Sequence, residues 1–188
     1  MTRWKPDAEG RLSSAALELF VERGYEATTV AEIAERAGLT KRTFFRHFSD
    51  KREVLFNGSM ELETRWLAGI AAAPEDADPI EAVIGGFDSI AEMFADRLDF
   101  ARLRSGIVDA NPEVKERELI KLHRLTGVIE AALVERGVPR HSAMLAAQAG
   151  VTVFHVAFAR WVQQDDPAAF RPLMDESLNE LRSVIAAG

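Results

Sequence analysis

Between Arg36 and Arg52 six basic side chains (Arg36, Lys41, Arg42, Arg46, Lys51 and Arg52) stand against one acid, Asp50. Such a cluster displaces counterions from a phosphate backbone, and this local charge governs attraction to DNA more than the whole-chain sum does. Lys41 and Arg42 can donate to guanine O6 and N7. Thr43 can meet a thymine methyl or donate a hydrogen bond. Arg46, one helical turn on, can reach a base or a phosphate. His47, Lys51 and the hydroxyl of Thr40 suit phosphate contacts, which hold register without reading sequence. Thr29, at the start of the preceding helix, joins this candidate DNA-binding set. Arg3 and Lys5, ahead of the first helix, could touch the backbone or the minor groove.

These side chains need a short helix held rigidly by its neighbours. The spacing predicts a first helix from about Asp7 to Arg23, with Leu12, Ala16, Leu19 and Phe20 on one face and Gly24 as its stop. A second helix opens at Thr29, where Thr29 and Glu32 form a capping box. Its residues Val30, Ile33, Ala34 and Ala37 face a small core. Gly38 supplies the positive φ of a sharp turn, and Thr40 caps a third helix over 41–48. Phe44 and Phe48, four apart, turn that helix inward and leave its basic side chains outside. Phe45 is expected to add apolar packing. Asp50 and Glu53 are expected to open a fourth helix that runs on to about Ala72. Helix, tight turn and basic helix make a helix-turn-helix, whose second helix is shaped for the DNA major groove.

The rest is expected to be helical too, over about 79–97, 101–109, 112–136, 139–164 and 168–186. Asp78, Asn111 and Asp166 each precede a proline at a first helical position, and Pro172 is expected to delay the last helix. No stretch alternates with period two, so the fold class is all-α. The charge divides with the chain. Residues 1–55 carry 10 Lys and Arg against 9 Asp and Glu, whereas residues 56–188 carry 13 against 21. The expected organisation is therefore a reader over 1–55 and an acidic control domain over 56–188.

The absence of cysteine excludes disulfides and thiolate metal sites, and fits a cytoplasmic protein. No signal-peptide run and no apolar segment long enough to cross a bilayer is apparent, so no membrane partner is expected. No nucleophile–base set, phosphate-cradling glycine loop or metal motif stands out. The expectation is a protein that is not an enzyme, with no cofactor and no metal.

Thr28-Thr29-Val30, Ile33-Ala34, Ala37-Gly38-Leu39-Thr40, Thr43-Phe44-Phe45, His47-Phe48 and Lys51 to Leu55 together resemble the signature of the TetR family of bacterial transcriptional regulators. The resemblance runs from Ala15 to Phe56, and the helical remainder fits that family's nine-helix layout. It departs at Phe45, where the family usually carries a tyrosine whose hydroxyl reaches a phosphate. One fewer phosphate contact per subunit is therefore implied. The resemblance further implies a homodimer on a palindromic operator and a small apolar or amphipathic effector. The function it points to is a repressor released by that effector. An activator of the same fold, or a ligand-sequestering or protein-interaction module with weak DNA binding, are the alternatives.

The candidate effector-lining residues are Trp66, Ile70, Phe87, Ile90, Phe94, Arg104, Ile107, Phe154 and Phe158, on apolar helix faces that ordinary core packing would also explain. Arg102-Leu103-Arg104 and the stretch from Asn111 to Lys121 are similar to a subgroup that includes mycofactocin-system regulators, which implies an acyl-CoA-like effector. Arg102, Arg104 or Arg117 could then pair with an anionic headgroup. Surface pairs such as Glu113–Arg117 explain them equally well. His123 and His155 sit on apolar helix faces, and His155 is expected to be buried. The resemblance places the dimer interface on helices 139–164 and 168–186. The small residues Ala143, Ala146, Ala147, Ala149 and Gly150 and the stripe Leu173, Leu178, Leu181, Val184 and Ile185 lie there. The same surfaces could pack within one chain.

Overall fold

The computed structural model describes residues 8–186, and every regular element among them is a helix. Ten α-helices follow in order: α1 (Ala8–Arg23), α2 (Val30–Arg36), α3 (Lys41–His47), α4 (Ser59–Ala72), α5 (Pro79–Ile84), α6 (Phe87–Phe94), α7 (Leu98–Ala110), α8 (Pro112–Glu135), α9 (Arg140–Trp161) and α10 (Phe170–Ala186). Short 3-10 turns cover Arg52–Phe56 and Pro167–Ala169. Since α5 and α6 are one helix interrupted at Gly85-Gly86, the layout is the expected nine. The chain divides into two compact units, one of Met1–Ser59 with Leu103–Glu118 and one of Met60–Arg102 with Leu119–Gly188. A single cut at residue 55 does not anticipate that 103–118 joins the first unit.

In the first unit Leu12, Ala16, Leu19, Phe20, Ile33, Ala34 and Phe44 are buried together with Val54, Leu55 and Phe56. Thr29 and Glu32 form the predicted capping box. The fourth helix does not begin at Asp50. Asp50 Oδ1 accepts from the backbone N–H groups of Arg52 (2.9 Å) and Glu53 (3.2 Å), but the segment it opens is the 3-10 turn, and α4 starts only at Ser59. Glu53 is drawn instead to Arg117. Asn111 also departs from its expected part. Its side-chain amide donates back to the Ile107 carbonyl at 2.6 Å, closing the end of α7.

The second unit is built around aromatic rings. Trp66 lies 5.8 Å from Phe87 and 5.5 Å from Phe154, and its indole N–H donates to the Val83 carbonyl at 2.8 Å. Phe94 touches Phe158, Trp161 and Phe170, whose ring stacks on Trp161 at 4.8 Å. Asp166 caps the 3-10 turn before α10, and Pro172 sits in the first turn of α10, where its missing N–H is not needed. Arginines close two helix ends. Arg136 donates to the carbonyls of Ile70 (3.0 Å), Ala73 (3.1 Å) and Pro74 (2.6 Å), and Arg102 donates to Val162 (2.9 Å) and Gln164.

Two expectations are corrected in this unit. His155 is exposed, because the buried face of α9 runs through Val151, Phe154 and Ala157 instead. In addition, α9 is long and apolar enough to cross a membrane by length and composition, with mean hydropathy 1.5 over a stretch of its 22 residues. Here it supplies the centre of a helical core, burying Ala143, Ala147, Val153 and Trp161.

The interruption between α5 and α6 has a steric cause. Gly69 of α4 passes so close to Gly86 that a methyl group at Gly69 would run into the Gly86 backbone. Gly69→Ala is therefore expected to lower unfolding free energy by about 1–3 kcal/mol. Gly127→Ala, in α8 with open space around it, is expected to raise it by about 0.5–1 kcal/mol. Thermal melting of both variants checks the pair.

Candidate nucleic-acid interface

α3 has only seven residues, too few to hold together on helix propensity alone. Its order comes from three fixings. Phe44 is fully buried and packs on Phe48 with ring centroids 5.5 Å apart. The Thr40 hydroxyl accepts the Thr43 N–H at 3.1 Å. Gly38, at φ 65°, makes the turn, and its N–H reaches the Glu35 carbonyl at 2.9 Å.

With Phe44 and Phe48 inward, Lys41, Arg42 and Arg46 are exposed, and Thr43 and His47 half-buried. Among the described residues these three cations make no ion pair, whereas the other arginines of the cluster do. Arg36 forms a two-pronged bridge to Glu22 (2.9 and 2.8 Å) and reaches Glu18 at 3.2 Å. Hydrogen bonding to Glu22 and Glu18 raises the Arg36 pKa above the ordinary guanidinium value. Arg52 pairs with Asp50 at 3.0 Å. The free positive charge is thus concentrated on the outer face of α3.

Phe45 is 49% exposed and meets Phe44 only by its edge, with Lys41 Nζ 5.9 Å from its ring. It is not interior packing, because the inward positions belong to Phe44 and Phe48. Lys51 donates to the Tyr25 carbonyl at 2.8 Å and lies 4.0 Å from the Tyr25 ring centroid, keeping two further N–H donors. Thr29 and Thr40 are exposed at their helix starts while serving as caps. Arg3 and Lys5 lie outside the described residues.

The candidate effector liners separate. Trp66, Ile70, Phe87, Ile90 and Phe154 share the second unit's core, with Phe94 and Phe158 packed against it. Arg104 and Ile107 belong to the first unit. Arg104 donates to the Leu55 carbonyl at 2.7 Å, bridges Glu118 at 2.9 Å and covers the Phe56 ring. Ile107 lines an open groove of about 540 Å³ with Phe20, Tyr25 and Leu103. Arg102 closes the end of α9 and Arg117 is bound to Glu53, so all three arginines have protein partners. Burial first, and the Glu113 carboxylate second, push the Tyr25 pKa up.

The small residues Ala143, Ala146, Ala147 and Gly150 are buried inside the second unit, with Gly150 against Val83. Apolar side chains left outside on the two last helices are Met144, Leu145 and Val156 on α9 and Val184 and Ile185 on α10. Two side chains that position the reader carry no motif. Arg11 donates to the carbonyls of Ala37 and Gly38 at the turn, and Glu9 accepts from His47 at 3.0 Å. A basic residue and an acid two positions apart on α1 are the only sequence trace of either.

Comparison with known proteins places residues 12–57 in the tetR family of bacterial regulatory proteins. The regulator TcmR of Streptomyces glaucescens is 40% identical over 80 residues, 43% of this chain and 35% of that protein. The transcriptional activator FasR of Mycolicibacterium smegmatis is 26% identical over 169 residues, 87% of this chain and 76% of that one. The chain thus spans about a third of the first relative and three quarters of the second. Among solved structures, the repressor FadR of Thermus thermophilus, determined with lauroyl-CoA, superposes with a TM-score of 0.55. It is 24% identical, over 92% of each chain. A regulator from Mesorhizobium loti reaches 0.57 at 19% identity, over 94% of this chain and 96% of that one. These two likenesses establish the all-helical fold.

The Arg11 contacts make the turn testable apart from any relative. Arg11→Met keeps the stem and removes the donors to Ala37 and Gly38. Chemical denaturation is expected to show a loss of about 1.5–3 kcal/mol, as for hydrogen bonds from a charged group.

Proposed function

We propose that the chain is a member of the TetR family of bacterial transcriptional regulators, whose family model matches residues 12–57, and that it is a repressor that binds a palindromic operator as a homodimer and is released by a small effector. At the coarser level it is a DNA-binding transcriptional regulator and not an enzyme. The observation that carries the finer reading is the outer face of α3. Lys41, Arg42 and Arg46 make no ion pair there among the described residues, on a helix anchored by Phe44. In this reading Lys41, Arg42, Thr43 and Arg46 meet base edges. Thr29, Thr40, His47 and Lys51 hold phosphates, and the exposed ring of Phe45 lies against the DNA without a hydroxyl to offer.

One helix-turn-helix covers too little DNA for strong specific binding, whereas two, about 34 Å apart, read successive major grooves. Met144, Leu145 and Val156 of α9, with Val184 and Ile185 of α10, are the exposed apolar side chains that a second copy would cover. The effector is assigned to the aromatic cluster of residues 56–188, lined by Trp66, Ile70, Phe87, Ile90, Phe94, Phe154 and Phe158. An apolar or amphipathic molecule, acyl-CoA-like at its largest, suits such walls. Arg104 and Ile107 are left out, since they lie in the first unit and Arg104 is committed to Glu118. A hundredfold change in DNA affinity requires about 2.7 kcal/mol of difference in effector binding between the two states. The likeness to an activator over most of the chain favours activation as the second reading.

Selection of bound duplexes from a random pool, read by sequencing, tests the reading. A consensus with two inverted half-sites about one helical turn apart is expected. No enrichment by folded, dimeric protein would overturn it. With the selected duplex, Arg46→Ala is expected to weaken binding about tenfold or more and leave the sedimenting species unchanged. A reporter gene behind the same duplex separates repression from activation.

A further inference from the structure

His47 closes α3 between two charged groups. Its Nδ1 lies 3.0 Å from Glu9 Oε1 on α1, and its Nε2 lies 3.3 Å from Arg46 Nη2. A guanidinium has donors only, so the tautomer that makes both contacts hydrogen bonds has Nε2 accepting from Arg46 and the ring proton on Nδ1, donating to Glu9. In that tautomer Arg46 is parked on the ring. We propose that Glu9 is a positioning residue for DNA binding, and that seating a phosphate on His47 takes up one proton per subunit and releases Arg46. This rests on the reading that α3 faces DNA.

The argument is one of donors and acceptors. A phosphate oxygen accepts hydrogen bonds and offers none. An Nε2 that carries only a lone pair would meet it lone pair to lone pair. Binding becomes favourable when Nε2 gains a proton and donates. The imidazolium then lies between two anions, the Glu9 carboxylate on Nδ1 and the phosphate on Nε2, at a helix C-terminus whose dipole also favours a cation. A protonated Nε2 no longer accepts from Arg46, so the guanidinium must leave the ring and is free to reach the DNA. The balance is simple: one proton from solvent goes onto Nε2, the Nε2···Arg46 contact breaks, and a charge-assisted bond to phosphate forms. The charged groups bonded to the ring are Glu9 from α1 and Arg46 from α3, and His47 is half-buried against α1. Because the bound state holds the extra proton, affinity is greatest at low pH and is lost as pH rises.

Phosphate contacts do not depend on sequence, so a mixed-sequence duplex of about 30 base pairs is a sufficient probe. Its affinity for the full chain is measured by fluorescence anisotropy at about pH 6 and about pH 8, at constant ionic strength. The wild type is expected to bind at least about tenfold more weakly at the higher pH. Glu9→Gln keeps an oxygen for the Nδ1 proton and lacks the charge. It should melt like the wild type and show a pH effect reduced to about threefold or less. His47→Gln should show none. In the free protein, nitrogen NMR of His47 should report the neutral ring protonated at Nδ1. A flat wild-type profile with binding intact would overturn the proton linkage alone, as would a Glu9→Gln variant with the full pH effect. Absence of binding at both pH values would overturn the reader assignment itself and this inference with it.

Discussion

The burial of Phe44 is the interaction on which the rest of the reader depends. A seven-residue helix in water is mostly unfolded, because nucleation costs more than so few hydrogen bonds return. Phe44 converts α3 from a marginal helix into a fixed one by placing a whole aromatic side chain in a core shared with Leu12, Leu19 and Ile33. Once that ring is inside, helical geometry dictates the rest. Phe48, four residues on, must also face inward, and positions 41, 42 and 46 must face out. The basic face is thus a consequence of where the apolar anchors lie. The turn then needs only to aim the helix, which Gly38, the Thr40 cap and the Arg11 donors accomplish.

Charge is arranged by the same economy. A chain of net charge −7 must offer DNA a surface from which its own acids are kept away. The helices behind α3 meet that need by consuming their bases internally. Arg36 is held by Glu18 and Glu22, Arg52 by Asp50, Arg104 by Glu118 and Arg117 by Glu53. Such exposed pairs add little stability singly. Their larger effect is to leave Lys41, Arg42 and Arg46 of α3, which make no ion pair among the described residues, as an outward basic face. The six bases between Arg36 and Arg52 mark the region in the sequence, but only the pairing tells which of them remain available.

What could be read in the sequence was what depends on near neighbours. The capping box at Thr29, the turn at Gly38, the Thr40 cap and the inward pair Phe44 and Phe48 all act within a few residues, and the structure has them as read. Most of the failures come from a distant partner. Glu53 was expected at the head of a fourth helix, but Arg117 claims its carboxylate, and the segment is a 3-10 turn that ends at Phe56, with α4 starting only at Ser59. An unbroken helix was expected across 79–97, but the passage of Gly69 leaves no room for it at Gly86. His155 was placed inside because its neighbours in sequence are apolar. Yet Val153, Phe154 and Ala157 already fill the buried side of α9. Arg11 and Glu9 were invisible as positioning groups because their partners lie 26 and 38 residues away.

Connectivity constrains how any signal could enter the reader. The chain passes between the two compact units at 59/60, 102/103 and 118/119. The last two passages fall inside α7 and α8, which are continuous helices there, and the first falls at the start of α4. None is a glycine- or serine-rich linker of the flexible kind. The segment they enter, 103–118, is tied to the reader by Arg104 on the Leu55 carbonyl and Arg117 on Glu53. Within the reader, Tyr25 holds Lys51 through its carbonyl and its ring. Arginines in this segment look like headgroup ligands when the sequence is read alone. Their protein partners, Leu55 and Glu118 for Arg104 and Glu53 for Arg117, make them fastenings within the first unit.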